Sequence, residues 1–261
     1  MTAQTGGFDR RTGRDPAGGQ GTPGGASAVC GVLLDTAAQP AFADLAALAQ
    51  TSNAFGLTGV ATAPGHAELI AEGMLFDCQG LAPAPMRRIA GDLALLALPQ
   101  GFAAEDHAMV TLAPAAQWQG AARLLPVVRV IATLAVALAS LPGARGVVWL
   151  PARLVSAPQW FAEAVSRWLD GGPFPALALT GLARTAHGIE SRGLAFFTGQ
   201  EFVLSGAGAA LDERDARGAV RLTDWMVAHG VVQAPCEVDL AGYGVVSLVP
   251  DGANRVIAHR I

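Results

Sequence analysis

Five apolar segments in the middle of the chain decide its fold: DLALLALP (92–99), HAMVTLAP (107–114), RGVVWLPA (145–152), PALALTGL (175–182) and RGLAFFTGQEFVLS (192–205). Each segment is nearly continuous in apolar residues, a pattern typical of strands that are buried in a sheet. We therefore predict a buried sheet in this part of the chain. Few residues capable of chemistry interrupt the segments, so the sequence specifies the architecture more firmly than the activity.

Helices and hairpins surround these segments and indicate the fold class. Hairpins mixed with βα units argue against a doubly wound sheet, which would need strict βα alternation. We predict an α+β protein of two α/β half-domains with mixed, largely antiparallel sheets, each half compatible with a ferredoxin-like topology. Two strands are expected to close the chain, near 237–249 and 254–261. Four helices are expected, at 40–50, 119–141, 158–170 and 212–229.

Composition divides the chain into three parts. Residues 1–27 are rich in Gly, Pro, Asp and Arg and hold almost no large apolar residue, so we predict a disordered tail. An N-terminal α+β half is expected at 28–103 and a C-terminal α+β half at 104–261. A hydrophobic fraction of 52% over 261 residues is ample for a core.

The chain contains no lysine, because all 17 of its basic residues are arginine. This excludes the P-loop lysine, the lysine that binds pyridoxal phosphate and every lysine general base. A GC-rich coding bias, also visible in the abundance of Ala, Gly and Arg, explains the composition. The excluded chemistry is the same whatever its origin.

Charge and cysteine usage point to a cytoplasmic protein that binds neither nucleic acid nor membrane. The formal net charge is −4 and the arginines are scattered, so no basic face is expected. Cys30, Cys78 and Cys236 form no CxxC pair and are interpreted as reduced, mostly buried thiols. No signal peptide is apparent. The apolar run 124–141 is interrupted by Pro126 and Arg129, so we interpret it as a core helix.

The second half resembles a bacterial family known as a domain of unknown function, DUF4261, over roughly residues 92–261. The features that carry the resemblance are LALLALP, the strand begun by His107, a long helix, the strand GVVWLPA, TGQEFVLS with Glu201, and a helix that ends in His229-Gly230. The resemblance implies a fold grouping and a bacterial cytoplasmic setting. It implies no catalytic residue.

Three polar residues stand out against the apolar segments: His107, Arg192 and Glu201. Glu201 interrupts an apolar strand next to Gly199, where a charged residue at a bulge or edge is the simpler interpretation. His107 follows Glu105 and Asp106, of which only Glu105 would share its face on a strand. If the fold brought His107, Arg192 and Glu201 together, they would form a ligand or acid/base site.

Other catalytic and metal patterns are missing from the sequence. No two histidines have HxH, HxxxH or HExxH spacing, so we expect no metal site and no cofactor. No serine lies in a GxSxG frame, and Ser205, followed by Gly206, lacks the first glycine. The glycines at 206 and 208 imitate only part of a dinucleotide-binding loop.

Two functional hypotheses follow from these observations. The first is a non-enzymatic protein-binding or accessory factor, for example of the immunity type, with Trp118 and Trp160 as candidate partner-facing residues. The alternative is an enzyme or small-ligand-binding protein whose site is assembled by the fold around His107, Arg192 and Glu201. The sequence leaves the oligomeric state open.

Overall fold

A computed structural model of the chain describes residues 27–59, 63–205 and 212–261. The predicted disordered tail, apart from Ser27, lies outside the described residues, and so do the glycines at 206 and 208.

Two mixed sheets and six helices make up the described chain. The first sheet has the order β2-β3-β4-β6-β1-β7-β8-β5, and all neighbours are antiparallel except β5 and β8. Its strands are β1 (Cys30–Leu34), β2 (Gly56–Leu57), β3 (His66–Ala71), β4 (Met74–Gln79), β5 (Ala94–Leu96), β6 (Ala108–Pro114), β7 (Ala144–Trp149) and β8 (Leu154–Ser156).

Three helices cover one face of the first sheet: α1 (Phe42–Ser52), α2 (Leu125–Leu138) and α3 (Pro158–Leu169). α2 lies in the apolar run 124–141, and nine of its fourteen residues are buried in the core, as expected for a core helix. α3 starts with Pro158 at its first turn and buries Phe161, Val165 and Trp168 along one face, while Leu169 is half-buried.

The opposite face of the first sheet is covered by the chain that precedes β6. Ile89, Leu93 and Phe102 from this connection pack in one cluster with Met109 and Val148 of the sheet. The central strands are therefore covered on both faces, which explains why β1 and β6 consist almost entirely of buried residues.

The second sheet has the order β12-β13-β14-β11-β10-β9, with one parallel pair, β11 and β14. The helix α6 (Glu213–His229) covers one face of this sheet. The short helices α4 (Ala176–Leu179) and α5 (Ala195–Thr198) lie at its junction with the first sheet. The strands are β9 (Gly181–Thr185), β10 (Gly188–Arg192), β11 (Glu201–Ser205), β12 (Cys236–Leu240), β13 (Gly244–Pro250) and β14 (Arg255–Arg260).

The α+β class with mixed, largely antiparallel sheets is confirmed. The ferredoxin-like topology stays a prediction. In the first sheet, the elements β1, α1, β4, β6, α2 and β7 follow one another along the chain, and their strands have the spatial order β4-β6-β1-β7. The second sheet consists of two three-stranded meanders that are joined through β11 and β14. The predicted boundary between residues 103 and 104 runs through the first sheet, because β5 precedes it and β6 follows it. The chain passes from the first sheet to the second sheet between β8 and β9.

Aromatic packing joins the two sheets. The indole of Trp149 in β7 lies 6.4 Å from the ring of Phe197 in a stacked arrangement and 6.1 Å from Phe196 edge-on, and both phenylalanines belong to α5. Phe197 also contacts Phe174, which lies just before α4. The segments that precede β9 and β11 thus belong to the hydrophobic core of the first sheet.

Several predicted strands differ from the structure. Segment 175–182 begins with α4, because Ala and Leu favour a helical turn where no β-branched residue opposes it. Segment 192–205 is divided by α5, which ends at Gly199 with a φ of 82°. Segment 92–99 contributes only the exposed edge strand β5. Segment 237–249 is a hairpin whose turn contains Gly242.

Within the described residues, no helix combines the length and the apolar character needed to cross a membrane.

Candidate functional site

Glu201, at the start of β11, holds the turn between β10 and α5. Its Oε1 accepts hydrogen bonds from the backbone N–H groups of Gly193 at 2.7 Å and Ala195 at 3.1 Å. Its Oε2 accepts from the N–H of Leu194 at 3.2 Å and from the Ser191 hydroxyl. Both carboxylate oxygens are therefore engaged in positioning this turn.

Arg192 is directed to a different part of the molecule. Its guanidinium donates to the Asp92 carboxylate at 3.0 Å, linking the end of β10 to the chain just before β5. The Asp92 side chain is 89% exposed, so water screens this ion pair. Arg192 and Glu201 lie on either side of the same turn, but no hydrogen bond joins their side chains.

His107 lies just before β6 in the first sheet. Its Nδ1 is 2.9 Å from the carbonyl oxygen of Ala103, and its ring stacks on Phe102 with a centroid distance of 4.7 Å. The neighbouring Asp35 carboxylate accepts two bonds from Arg145, at 2.9 and 2.7 Å. The Arg145 hydrogen bond is the main cause that holds the pKa of Asp35 below its usual value, and the His107 charge acts in the same direction.

No hydrogen bond joins any two of His107, Arg192 and Glu201, each of which has its own partners. Glu105 and Asp106 lie in a 3-10 turn (Ala104–Asp106) rather than on the strand itself. Among the described residues, no group of three His, Cys, Asp or Glu side chains is arranged to hold a metal ion.

The two tryptophans considered as partner anchors are both half-buried. Trp118 lies in the 3-10 segment Ala116–Ala121 that precedes α2. Trp160 lies on α3 and packs against the hydrophobic core of the first sheet. Their role as partner-facing residues stays a prediction.

A buried polar cluster that the sequence did not suggest joins α6 to the end of the second sheet. The hydroxyl of Tyr243, the single tyrosine of the chain, donates to Asp215 at 2.8 Å, and Arg260 lies 3.6 Å from the same carboxylate. Arg214 donates to the Tyr243 carbonyl oxygen at 2.7 Å. A lone tyrosine flanked by glycines was the only sequence signal available, since Asp215 is 28 residues away.

Both ionisable partners in this cluster have shifted pKa values. Burial, followed by the hydrogen bond to Asp215, raises the pKa of Tyr243 to about 12. Burial opposes ionisation of Asp215, but the Asp212 backbone N–H, the Tyr243 hydroxyl and the Arg260 charge outweigh it and hold the pKa of Asp215 below its usual value. The cluster is therefore an ionised carboxylate bound by a protonated phenol, which suits a structural role.

Ser205 and His259 form a pair across the parallel strands β11 and β14. The Ser205 hydroxyl oxygen lies 2.6 Å from His259 Nδ1, and the two residues are in register. In the sequence, Ser205 lies only in an incomplete nucleophile motif. Among the described residues, no carboxylate is hydrogen-bonded to His259, so the pair lacks the third group that orients the base in a hydrolytic triad.

The face of the second sheet opposite α6 exposes apolar side chains. We call this surface the open face and define it by Val245, Val249, Ile257 and Ile261. Val249 lies beside Ile257 in register, and the backbone N–H of Ile261 donates to the carbonyl oxygen of Val245 at 3.0 Å. Val245, Val249 and Ile261 are 39%, 38% and 70% exposed, and no described element packs across them. The Ser205–His259 pair lies on the same face.

Comparison with known proteins does not assign the chain to a family. No protein-family model, curated protein or solved structure matches the chain. The resemblance to DUF4261 is therefore not confirmed and stays a prediction.

Proposed function

We propose that this chain is a non-enzymatic accessory protein that acts by binding another protein, and that the partner docks on the open face. The exposure of Val245, Val249 and Ile261 carries the proposal. A sheet that is covered on one side only normally places polar side chains on its solvent face. Apolar residues on that face are typical of an interaction surface.

The charge beside the open face indicates the chemistry of the partner. Glu237 and Asp239 on β12 are exposed and pair with Ser247 and Val245 of β13, which places both carboxylates on the same side of the sheet. Protein interfaces combine apolar and polar contacts, and on the open face Ser247 and His259 lie between the two apolar pairs. We infer a partner with an apolar strip that is bordered by arginine or lysine.

The alternative function, an enzyme or small-ligand site built from His107, Arg192 and Glu201, has less support. Both carboxylate oxygens of Glu201 accept hydrogen bonds from the turn at 193–195, and Arg192 is paired with Asp92. His107 is held by Phe102 and Ala103 in the first sheet. A common substrate for the three would require rearrangement of at least two sets of contacts.

Affinity capture with matched surface variants tests the proposal. The tagged full-length chain is expressed in its native host as wild type, as Val249→Glu and as Ile70→Glu. Ile70 is a suitable control because it is 42% exposed on β3 of the first sheet. A charge within the open face has to be desolvated on binding, so Val249→Glu should lose a partner that wild type and Ile70→Glu retain in stoichiometric amount.

Equal retention of that partner by Val249→Glu would overturn the assignment of the open face. Failure of the wild type to retain any stoichiometric partner would overturn the proposed function. If the three proteins unfold at the same temperature, loss of the partner by Val249→Glu reflects the changed surface and not a change in the fold.

A further inference from the structure

A partly open cavity of about 470 Å³ lies between α1, the β3–β4 turn, α2 and the end of α3. This volume is within the range of small-molecule sites. Its walls combine apolar side chains with one fixed cation and one exposed carboxylate, and none of them belongs to the open face. The residues that matter for binding are Asn53, Glu72, Met74, Arg129, Val130 and Leu169.

Arg129 provides a cation that the fold holds in place. Its two terminal nitrogens donate to the carbonyl oxygens of Trp168 at 3.3 Å and Leu169 at 2.7 Å, and its guanidinium lies 4.8 Å from the Trp168 ring centroid. A guanidinium has five N–H donors. The other three have no partner among the described residues, so Arg129 is available to bind a carboxylate in the cavity.

Glu72 provides the opposite charge in an unusual backbone conformation. It lies in the tight turn between β3 and β4 with a φ of 49°, followed by Gly73 at 73°. Asn or Asp usually precedes glycine in such a turn, because a longer side chain is disfavoured at positive φ. Backbone strain of this kind is often retained at binding sites. Among the described residues, no cation lies within ion-pair distance of Glu72, Arg129 included.

The remaining wall is apolar. Met74 from β4, Val130 from α2 and Leu169 from α3 line the cavity together with two alanines, Ala54 and Ala71. Asn53, the residue that caps the end of α1, adds a side-chain amide to the cavity wall. The cavity thus presents a carboxylate-binding group, an ammonium-binding group and an apolar surface.

We propose that this cavity binds a small zwitterion with an apolar side chain, of the chemical class of a free apolar α-amino acid. The ligand carboxylate pairs with the free N–H donors of Arg129. The ligand ammonium group pairs with Glu72, with the Asn53 amide oxygen as a second acceptor. The side chain lies against Met74, Val130 and Leu169.

Titration calorimetry on the full-length chain tests the inference with three matched probes: L-leucine, L-leucinamide and 4-methylpentanoate. Leucinamide lacks the carboxylate and 4-methylpentanoate lacks the ammonium group, while all three share the isobutyl side chain. Leucine should bind, and each analogue should bind about tenfold or more weakly, the equivalent of losing one charge-assisted contact. Absence of leucine binding, or equal binding of all three probes, would overturn the proposal.

Variants connect binding to the cavity. Glu72→Gln and Arg129→Gln should each weaken leucine binding by about tenfold or more. Glu68→Gln is the control, because Glu68 belongs to the same hairpin but does not line the cavity. Since Arg129→Gln also removes the bonds to Trp168 and Leu169, Ala54→Trp offers a second variant that obstructs the cavity without changing Arg129. Leucine affinity that is unchanged in Glu72→Gln and Ala54→Trp would contradict the assignment.

Discussion

The Glu201 carboxylate accepts hydrogen bonds from four donors in a single turn, and this gives it a structural role. Three of the donors are the consecutive backbone N–H groups of residues 193–195. Among the described residues, these N–H groups have no other hydrogen-bond acceptor. The Ser191 hydroxyl, the fourth donor, also accepts from the Phe202 N–H at 2.8 Å, so the network continues into β11. Loss of the carboxylate would leave the whole turn without its acceptor.

We therefore predict that Glu201→Ala lowers the free energy of unfolding by about 2–3 kcal/mol, as expected for hydrogen bonds to a charged group. Urea unfolding followed by tryptophan fluorescence measures the change. Glu163→Ala is the matched control, because Glu163 accepts one hydrogen bond from Gln159 on an exposed helix surface, and it should change stability by less than about 0.5 kcal/mol. Equal effects of the two substitutions would argue against the structural role of Glu201.

Tyr243 offers a prediction about pH. Its pKa is raised to about 12 in the folded chain, against 10 for an ordinary tyrosine, so folding favours the protonated phenol. The contribution to stability is fully present below pH 10 and is lost as the pH rises through about 12. Because the chain has one tyrosine, tyrosinate absorbance reports this group alone.

The absorbance midpoint of the folded protein should lie well above 10, and that of the protein unfolded in urea near 10. In Asp215→Asn the midpoint should move down toward 10, because the charge that disfavours tyrosinate is removed. A folded wild-type midpoint near 10 would show that the Tyr243–Asp215 bond does not form.

At the residue scale, the sequence could identify polar exceptions but not their partners. Glu201 stood out because it interrupts an apolar run, yet its donors lie in a stretch that was expected to continue the same strand. Asp215 and Tyr243 were not singled out, because their contact depends on the position of α6 over the β12–β13 hairpin. Contacts between residues far apart in sequence leave no periodic signal.

At the scale of elements, strong periodicity and clear terminators gave the reliable predictions. α3 has Pro158 at its start and an apolar stripe, β6 is apolar apart from Thr111 and buried throughout, and residues 146–149 of β7 are buried. The errors fall where Ala and Leu dominate, as in α4, since an apolar run of four residues fits a helical turn as well as a strand. Packing around Trp149 and Phe174 decides the conformation there.

The contact between α6 and the β12–β13 hairpin can be tested at Gly218. A Cβ atom at this position would lie 2.6 Å from the Tyr243 ring, which is closer than packed atoms allow. Glycine to alanine inside a helix normally gains about 1 kcal/mol. We predict that Gly218→Ala instead lowers the free energy of unfolding by more than about 1 kcal/mol, because the buried ring has to move.

Gly120→Ala is the control for this prediction, because outside its immediate chain neighbours no atom of the described residues lies within 4 Å of the added Cβ. Its stability should change by less than about 0.5 kcal/mol. Both changes are measured by thermal and urea unfolding. Stabilisation by Gly218→Ala would contradict the close packing of α6 on Tyr243.

At the scale of the whole molecule, the two sheets differ in how they are covered. Helices and the connection before β6 cover the central strands of the first sheet on both faces. The second sheet has α6 on one face and the open face on the other. The sequence did not reveal this asymmetry, because its predicted boundary near residue 103 divided the first sheet and left the second sheet unrecognised.

Site-specific photocrosslinking in the native host tests the proposed role of the open face most directly. A photoreactive phenylalanine analogue is placed at Val249 in one variant and at Ile70, an exposed position on the first sheet, in another. We predict one discrete crosslinked protein from position 249 and none from position 70. No crosslink at position 249, or the same product from both positions, would contradict partner binding through the open face.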